Sequence, residues 1–185
     1  MTDGSMGTPR INMHRNIEIK AAIRDVERTV SKAVELSDTA KEKIEQHDTF
    51  FKIQDGRLKL RKFEDGTAEL ILYKRPNVLG PKLSTYDKVT LNSDIVESMT
   101  NILSQSIGVL GVVKKTRFLY MVGQTRVHID EVDGLGNFIE LEVMLQKDQD
   151  VETGQKIADD LMRALFIKED DLIAEAYIDL LNSKT

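Results

Sequence analysis

The chain has no cysteine and no tryptophan, and only 3 prolines and 3 histidines in 185 residues. Without cysteine there is no disulfide, no thiolate metal site and no cysteine nucleophile, and nothing marks an oxidising compartment, so a cytoplasmic location is expected. No apolar run approaches the roughly 18–20 residues that a membrane-spanning helix needs. The opening MTDGSMGTPRIN lacks an apolar h-region; residues 1–14 are read as a flexible leader, and no membrane partner is expected. Neither charge sign dominates: 26 basic residues stand against 31 acidic ones, a formal charge of -5. That balance speaks against a nucleic-acid partner unless the basic residues gather in one place. What remains is 41% hydrophobic and 31% charged, suited to one domain over residues 15–185, acting as a monomer or homodimer, whose core needs no metal or disulfide to hold it.

Residues 16–23 (NIEIKAAI) alternate as a strand does, and 25–36 space Val26, Val30, Ala33 and Val34 at helical intervals. Residues 37–46 are read as a second short helix. Period two then takes over at 47–53, 57–63, 68–75 and 82–91, punctuated by QDGR, EDGT and NVLGP, in which the Asp-Gly pairs mark tight hairpin turns. Residues 92–107 pattern as an amphipathic helix; 112–122, 124–132 and 137–145 give three more strands; 150–166 and 169–181 give two closing helices. The class is α+β with an antiparallel meander.

Residues i and i+2 of a strand share a side, so each segment can be split by parity. Asn16, Glu18 and Lys20 oppose Ile17 and Ile19. Arg57, Lys59 and Arg61 oppose Leu58 and Leu60. Val113, Lys115 and Arg117 share one face, Arg126, His128 and Asp130 oppose Val127 and Ile129, and Glu140 and Glu142 oppose Ile139, Leu141 and Val143. A plain reading is an open sheet with a solvated charged face. The sorting by sign argues otherwise: cations gather on one set of strands and Glu18, Asp130, Glu140 and Glu142 on another. If the sheet closes, that face becomes a lumen with cations opposite carboxylates and helices packed outside. Carboxylates without cysteine suit a hard cation such as Mg²⁺ or Mn²⁺, and arginine and lysine suit phosphate oxygens.

The run of NIEIK, QHDTFF, GRLKLR, AELILYKRP, KLSTY, VKKTRFLY, RVHIDEVDGLGNFIELEV and AYIDLL, in this order, resembles the CYTH family, or triphosphate tunnel metalloenzymes, from about Arg15 to Leu181. The class IV adenylate cyclases and thiamine triphosphatases belong to it, and the longer motifs are most similar to the cyclase branch. The resemblance implies a closed antiparallel eight-stranded β-barrel, a tunnel open at both ends, holding a triphosphate among basic side chains with divalent metal on acidic ones. Carried over by motif, Glu18, Asp130, Glu140 and Glu142 hold the metal. Lys20, Arg61 and Arg117 are assigned to catalysis, and Lys59, Arg75, Lys88, Lys115 and Arg126 to the substrate phosphates. Lys74 and Arg75 have opposite parity, so only one can point inward from a regular strand. The expected activity is metal-dependent hydrolysis of inorganic triphosphate, thiamine triphosphate or a nucleoside triphosphate. The alternatives are conversion of ATP to cyclic AMP and pyrophosphate, and a polyphosphate-binding module without catalysis. One departure stands out: the family pattern E-x-E-x-K begins here with Asn16, an amide that offers a carbonyl oxygen but no charge.

Other residues have plainer readings. His128 suits a hydrogen-bonded lumen position, His14 and His47 the surface, Tyr73 and Tyr86 packing or a nucleoside contact, and Phe50, Phe51 and Phe118 the core. Residues 177–181 form an amphipathic helix suited to docking on the barrel exterior or covering one mouth.

Overall fold

A computed structural model describes residues 14–184. Eight strands, β1 (His14–Ala22), β2 (Glu42–Phe51), β3 (Arg57–Lys62), β4 (Ala68–Lys74), β5 (Lys82–Leu91), β6 (Val109–Val122), β7 (Thr125–Val132) and β8 (Gly136–Met144), close into an antiparallel barrel in the order β1-β5-β4-β3-β2-β6-β7-β8. Four helices, α1 (Val26–Leu36), α2 (Ser93–Ser106), α3 (Val151–Ala164) and α4 (Tyr177–Asn182), accompany it. The expected leader lies outside the described residues except for His14, which opens β1 opposite Tyr86 of β5.

Closure turns the usual arrangement outward, because the apolar face of the strands forms the main core against helices on the outside of the barrel. Ile17, Ile19, Val127, Ile139, Leu141 and Val143 are buried under Ala33 of α1 and Ala158, Met162 and Leu165 of and just after α3. Phe51, Leu60, Ala68 and Leu91 pack under Val96 of α2. Helices α1 and α3 start where Asp25 and Asp150 cap them, accepting from the amides of Arg28 and Thr153. Gly154 lets α3 sit close: a Cβ there would lie 2.5 Å from Leu145 Cδ2 and 2.7 Å from Ile17 Cγ1.

Two segments depart from expectation. Residues 42–46, expected to be helical, form the first half of β2, which pairs along β6 from Glu42↔Leu119 to Phe51↔Val109. The helical preference of Glu, Lys and Gln yields to this ladder, since barrel closure needs a strand long enough to join β3 to β6. The expected helix over 169–181 is broken into a single turn, Glu169–Asp171, and α4. Between them the chain runs extended, with Leu172 bridged to Ala21 and the Ile173 amide donating to the Lys20 carbonyl. This strap and the start of α4 lie against the end of the barrel that carries Lys20, Arg75 and Lys82. Gly111 permits the approach of α4, because a Cβ on it would lie 2.6 Å from Ile178 Cδ1.

Candidate active site

The register sets the charged residues of neighbouring strands side by side on the inner face. Across β1 and β8, Lys20 meets Glu140 and Glu18 meets Glu142; across β7 and β8, His128 meets Glu140 and Arg126 meets Glu142. Arg61 on β3 stands opposite Asp48 on β2, and Arg117 on β6 opposite Asp130 on β7. The cavity they line encloses about 870 Å³, its open mouth included. Its walls carry eight cations (Lys20, Lys59, Arg61, Arg75, Lys88, Lys115, Arg117, Arg126) against five carboxylates (Glu18, Asp48, Glu69, Glu140, Glu142). A chain of formal charge -5 thus encloses a net positive lumen.

Two clasps organise the cations. Asp48, 2% exposed, accepts from Arg61 Nε at 2.7 Å, Arg61 Nη2 at 2.7 Å and Lys59 Nζ at 2.7 Å. Asp130, fully buried, accepts from Arg117 Nε at 2.6 Å, Arg117 Nη2 at 2.6 Å, Lys115 Nζ at 2.8 Å and the Tyr177 hydroxyl at 3.0 Å. Burial opposes ionisation of both aspartates, yet the facing arginine and lysine hold each well below the usual carboxylate range. Asp130 was expected among the metal ligands. Its oxygens meet Arg117, Lys115 and Tyr177, because the register sets Arg117 directly across from it, much as those of Glu140 meet Lys20 and Arg117.

Glu140 is held by Lys20 at 3.2 Å and by Arg117. Burial works against its charge, but Lys20, Lys115 and Arg117 keep it well below the ordinary range. Glu142 is different: burial, with Glu140 and Glu18 nearby, pushes its carboxyl up in spite of Arg117. Arg126 Nη1 is 3.8 Å from it and His128 Nδ1 3.7 Å. Burial, reinforced by Arg117, keeps the His128 imidazole neutral, well below its usual range. Ligand atoms of His128, Glu140 and Glu142 lie within 4.8 Å of one another. Two buried atoms near this group, His128 Nδ1 and Asn16 Oδ1, make no hydrogen bond. Two glutamates set directly opposite on a sheet repel, so an acidic group with an unpaired amide oxygen and an unpaired imidazole nitrogen on the residues beside it fits a hard divalent cation.

At the strapped end the backbone supplies the partners. Lys20 Nζ donates to the Glu175 carbonyl at 3.1 Å, Arg75 Nη1 to Ala174 at 2.8 Å and Lys82 Nζ to Ile173 at 3.4 Å. Arg75 also pairs with Glu18 at 3.1 Å. The Lys74/Arg75 ambiguity therefore resolves in favour of Arg75, whose side chain is 2% exposed, while Lys74 pairs with Asp55 outside. Tyr177 points inward rather than lying on the exterior, its ring 3.8 Å from Lys20 Nζ and 5.0 Å from Lys115 Nζ. Lys88 sits at the open mouth, paired with Glu69, near Tyr86, which stacks on His14. Phe50 and Tyr73 line the cavity as well.

Sequence reasoning missed Asp48, Lys82 and the part of Tyr177. Asp48 lay within the expected strand 47–53, but that strand was not split by parity; in β2, Gln46, Asp48 and Phe50 share a face. Nothing in the local pattern around Tyr177 announces a contact with Asp130.

The comparisons with known proteins agree with this fold. The CYTH domain model matches residues 14–177. The chain belongs to the CYTH domain family. A Methanocaldococcus jannaschii protein named "Putative adenylate cyclase" is 29% identical over 177 residues, spanning 89% of this chain and 97% of its own. The PH1012 protein of Pyrococcus horikoshii superposes with a TM-score of 0.74 at 24% identity, covering 89% of this chain and 98% of that one. A Hippeastrum protein described as a putative adenylyl cyclase with a dominant triphosphatase activity superposes with a TM-score of 0.64 at 17% identity, over 92% and 96% of the two chains. CYTH enzymes are triphosphatases or adenylate cyclases and depend on divalent metal. Among the described residues no helix is long and apolar enough to cross a membrane.

Proposed function

We propose that this CYTH protein hydrolyses a triphosphate compound with the help of Mg²⁺ or Mn²⁺. The observation that carries this reading is the lumen's charge: eight cations against five carboxylates inside an acidic protein require an anionic guest with several negative charges. Arg61, Arg117, Lys59 and Lys115 hold phosphoryl oxygens, the arginines as planar forks and the lysines as point charges. Lys20 and Arg75 neutralise the phosphates nearest the strap, and Arg126 and Lys88 those nearest the mouth. Glu18, Glu140 and Glu142, joined by His128 and the Asn16 carbonyl, hold the metal, while Asp130 keeps Lys115 and Arg117 in place. Bound there, the cation supplies electrophilic activation of the phosphate chain. Water attacks the terminal phosphorus, the bond to the bridging oxygen breaks, and phosphate and the shortened chain leave. The basic walls take up the charge that develops in this exchange, which is most of what phosphoryl transfer asks of a protein.

A second reading, cyclisation of ATP to cyclic AMP and pyrophosphate, is favoured by the name of the Methanocaldococcus jannaschii relative. Purified protein with Mn²⁺ is mixed separately with inorganic triphosphate, thiamine triphosphate and ATP, and the products are resolved. Phosphate release from inorganic triphosphate is expected, with Glu142→Gln losing most turnover and most of the rise in melting temperature that Mn²⁺ gives the parent. Cyclic AMP and pyrophosphate from ATP as the main products would support the second reading instead. Binding of triphosphate without any product would leave a binding module.

A further inference from the structure

Asp48 is a lumen carboxylate whose hydrogen bonds go to two cations of the neighbouring strand β3. It accepts from both the Nε and Nη2 edge of Arg61 and from Lys59 Nζ. An arginine fork has five donors in one plane, and among the described residues the Nη1 end of Arg61 has no hydrogen bond. One edge of the guanidinium is therefore anchored to the β2 wall, and the other is free to meet a ligand. Lys59 is fixed by the same carboxylate, with its ammonium 5.5 Å from the Phe50 ring and 5.7 Å from the Tyr73 ring. Long side chains lose much rotamer freedom when they bind; here two of them have already lost it.

We propose that Asp48 is a positioning residue for the triphosphate, holding Arg61 and Lys59 so that their free donors face the phosphate chain. The inference rests on the functional reading above. It carries an unusual sign. By charge alone, an anion 2% exposed in the lumen wall opposes a polyphosphate, and removing it should tighten binding. If Asp48 works by fixing its two partners, removing it should loosen binding, because Arg61 and Lys59 must then be ordered at the ligand's expense.

The test is calorimetric titration of inorganic triphosphate into metal-free protein, with melting temperatures recorded alongside. The parent should bind; if it does not, this inference is wrong, while turnover with Mn²⁺ decides the functional reading separately. Given binding by the parent, Asp48→Asn should weaken it by about tenfold, Asp48→Glu should recover part of the loss, and in an Arg61→Ala background the Asp48→Asn effect should shrink or change sign. Unchanged or tighter binding by Asp48→Asn overturns the role of Asp48 while leaving the functional reading in place. A measurement on the parent covers a variant that fails to fold: the Arg61 Nε proton, followed by NMR, should stay hydrogen-bonded and slow to exchange when triphosphate is added. If it is released, the ligand displaces Asp48 instead of being presented by it, and the inference is wrong.

Discussion

The two clasps of the barrel are built from the same parts: a K-x-R strand facing an aspartate on its neighbour, Lys59 and Arg61 with Asp48, Lys115 and Arg117 with Asp130. Their surroundings differ. The side chains of Lys59 and Arg61 are 13% and 12% exposed, those of Lys115 and Arg117 3% and 5%. The β6 clasp is also tied to the acidic group through Glu140 and to α4 through Tyr177, whereas the β3 clasp is self-contained. One local motif thus serves two ends: on β6 it joins phosphate site, metal site and strap into one network, and on β3 it makes an adjustable wall.

The largest expected effect follows from that difference. Asp130→Ala strips the shared partner from three buried groups, Lys115, Arg117 and Tyr177, and should cost about 3–5 kcal/mol of stability, as breaking a buried ion pair does. Asp48→Ala should cost roughly 1–3 kcal/mol, nearer the range for an unsatisfied buried group with some access to solvent. Urea denaturation of both variants measures this, and equal losses would erase the distinction.

Tyr177→Phe removes only the hydroxyl that distinguishes the β6 clasp and keeps the ring over Lys20 and Lys115. It should lower stability by about 1 kcal/mol, with a coupling energy to Asp130→Asn and none to Asp48→Asn in double-mutant cycles. Coupling of similar size to both aspartates would mean that the two clasps communicate.

The smallest effect is in pH. Burial and the neighbouring Arg61 bring Lys59 down to about 8 from 10.5 despite Asp48. A lysine with a depressed folded pKa gives up its proton on folding, so stability of the metal-free protein should rise between those two pH values, where the unfolded chain still holds the proton. Triphosphate affinity should move the other way, falling as pH passes 8. Lys59→Met should flatten both trends in part; Lys82, which burial and Arg75 also bring to about 8, retains the remainder. Unchanged slopes in Lys59→Met would remove Lys59 from the phosphate wall.

The first strand and those after Arg57 were legible because one face was apolar and the other charged; parity put Glu18, Lys20, Lys59, Arg61, Lys115, Arg117, Glu140 and Glu142 each on the charged face of its strand, and the family resemblance brought them to one lumen. Residues 42–46 were misread for a physical reason: Glu, Lys and Gln favour a helix, and the ladder to β6 that overrides them is formed with residues about seventy positions away. The break after Asp171 was hidden in the same way, since the strap owes its extended form to Lys20 and Ala21 of β1.

By itself the sequence determined which side of each strand is charged, since side-chain period two is a property of the extended backbone, and hence that a closed sheet would enclose cations and carboxylates. Only the tertiary structure decided which charge meets which. Which cations Asp130 meets, whether Arg75 turns inward, and where residues 173–177 run against the barrel depend on strand register and on the packing of α4 through Gly111. These are long-range contacts, and no local pattern encodes the partner across the barrel.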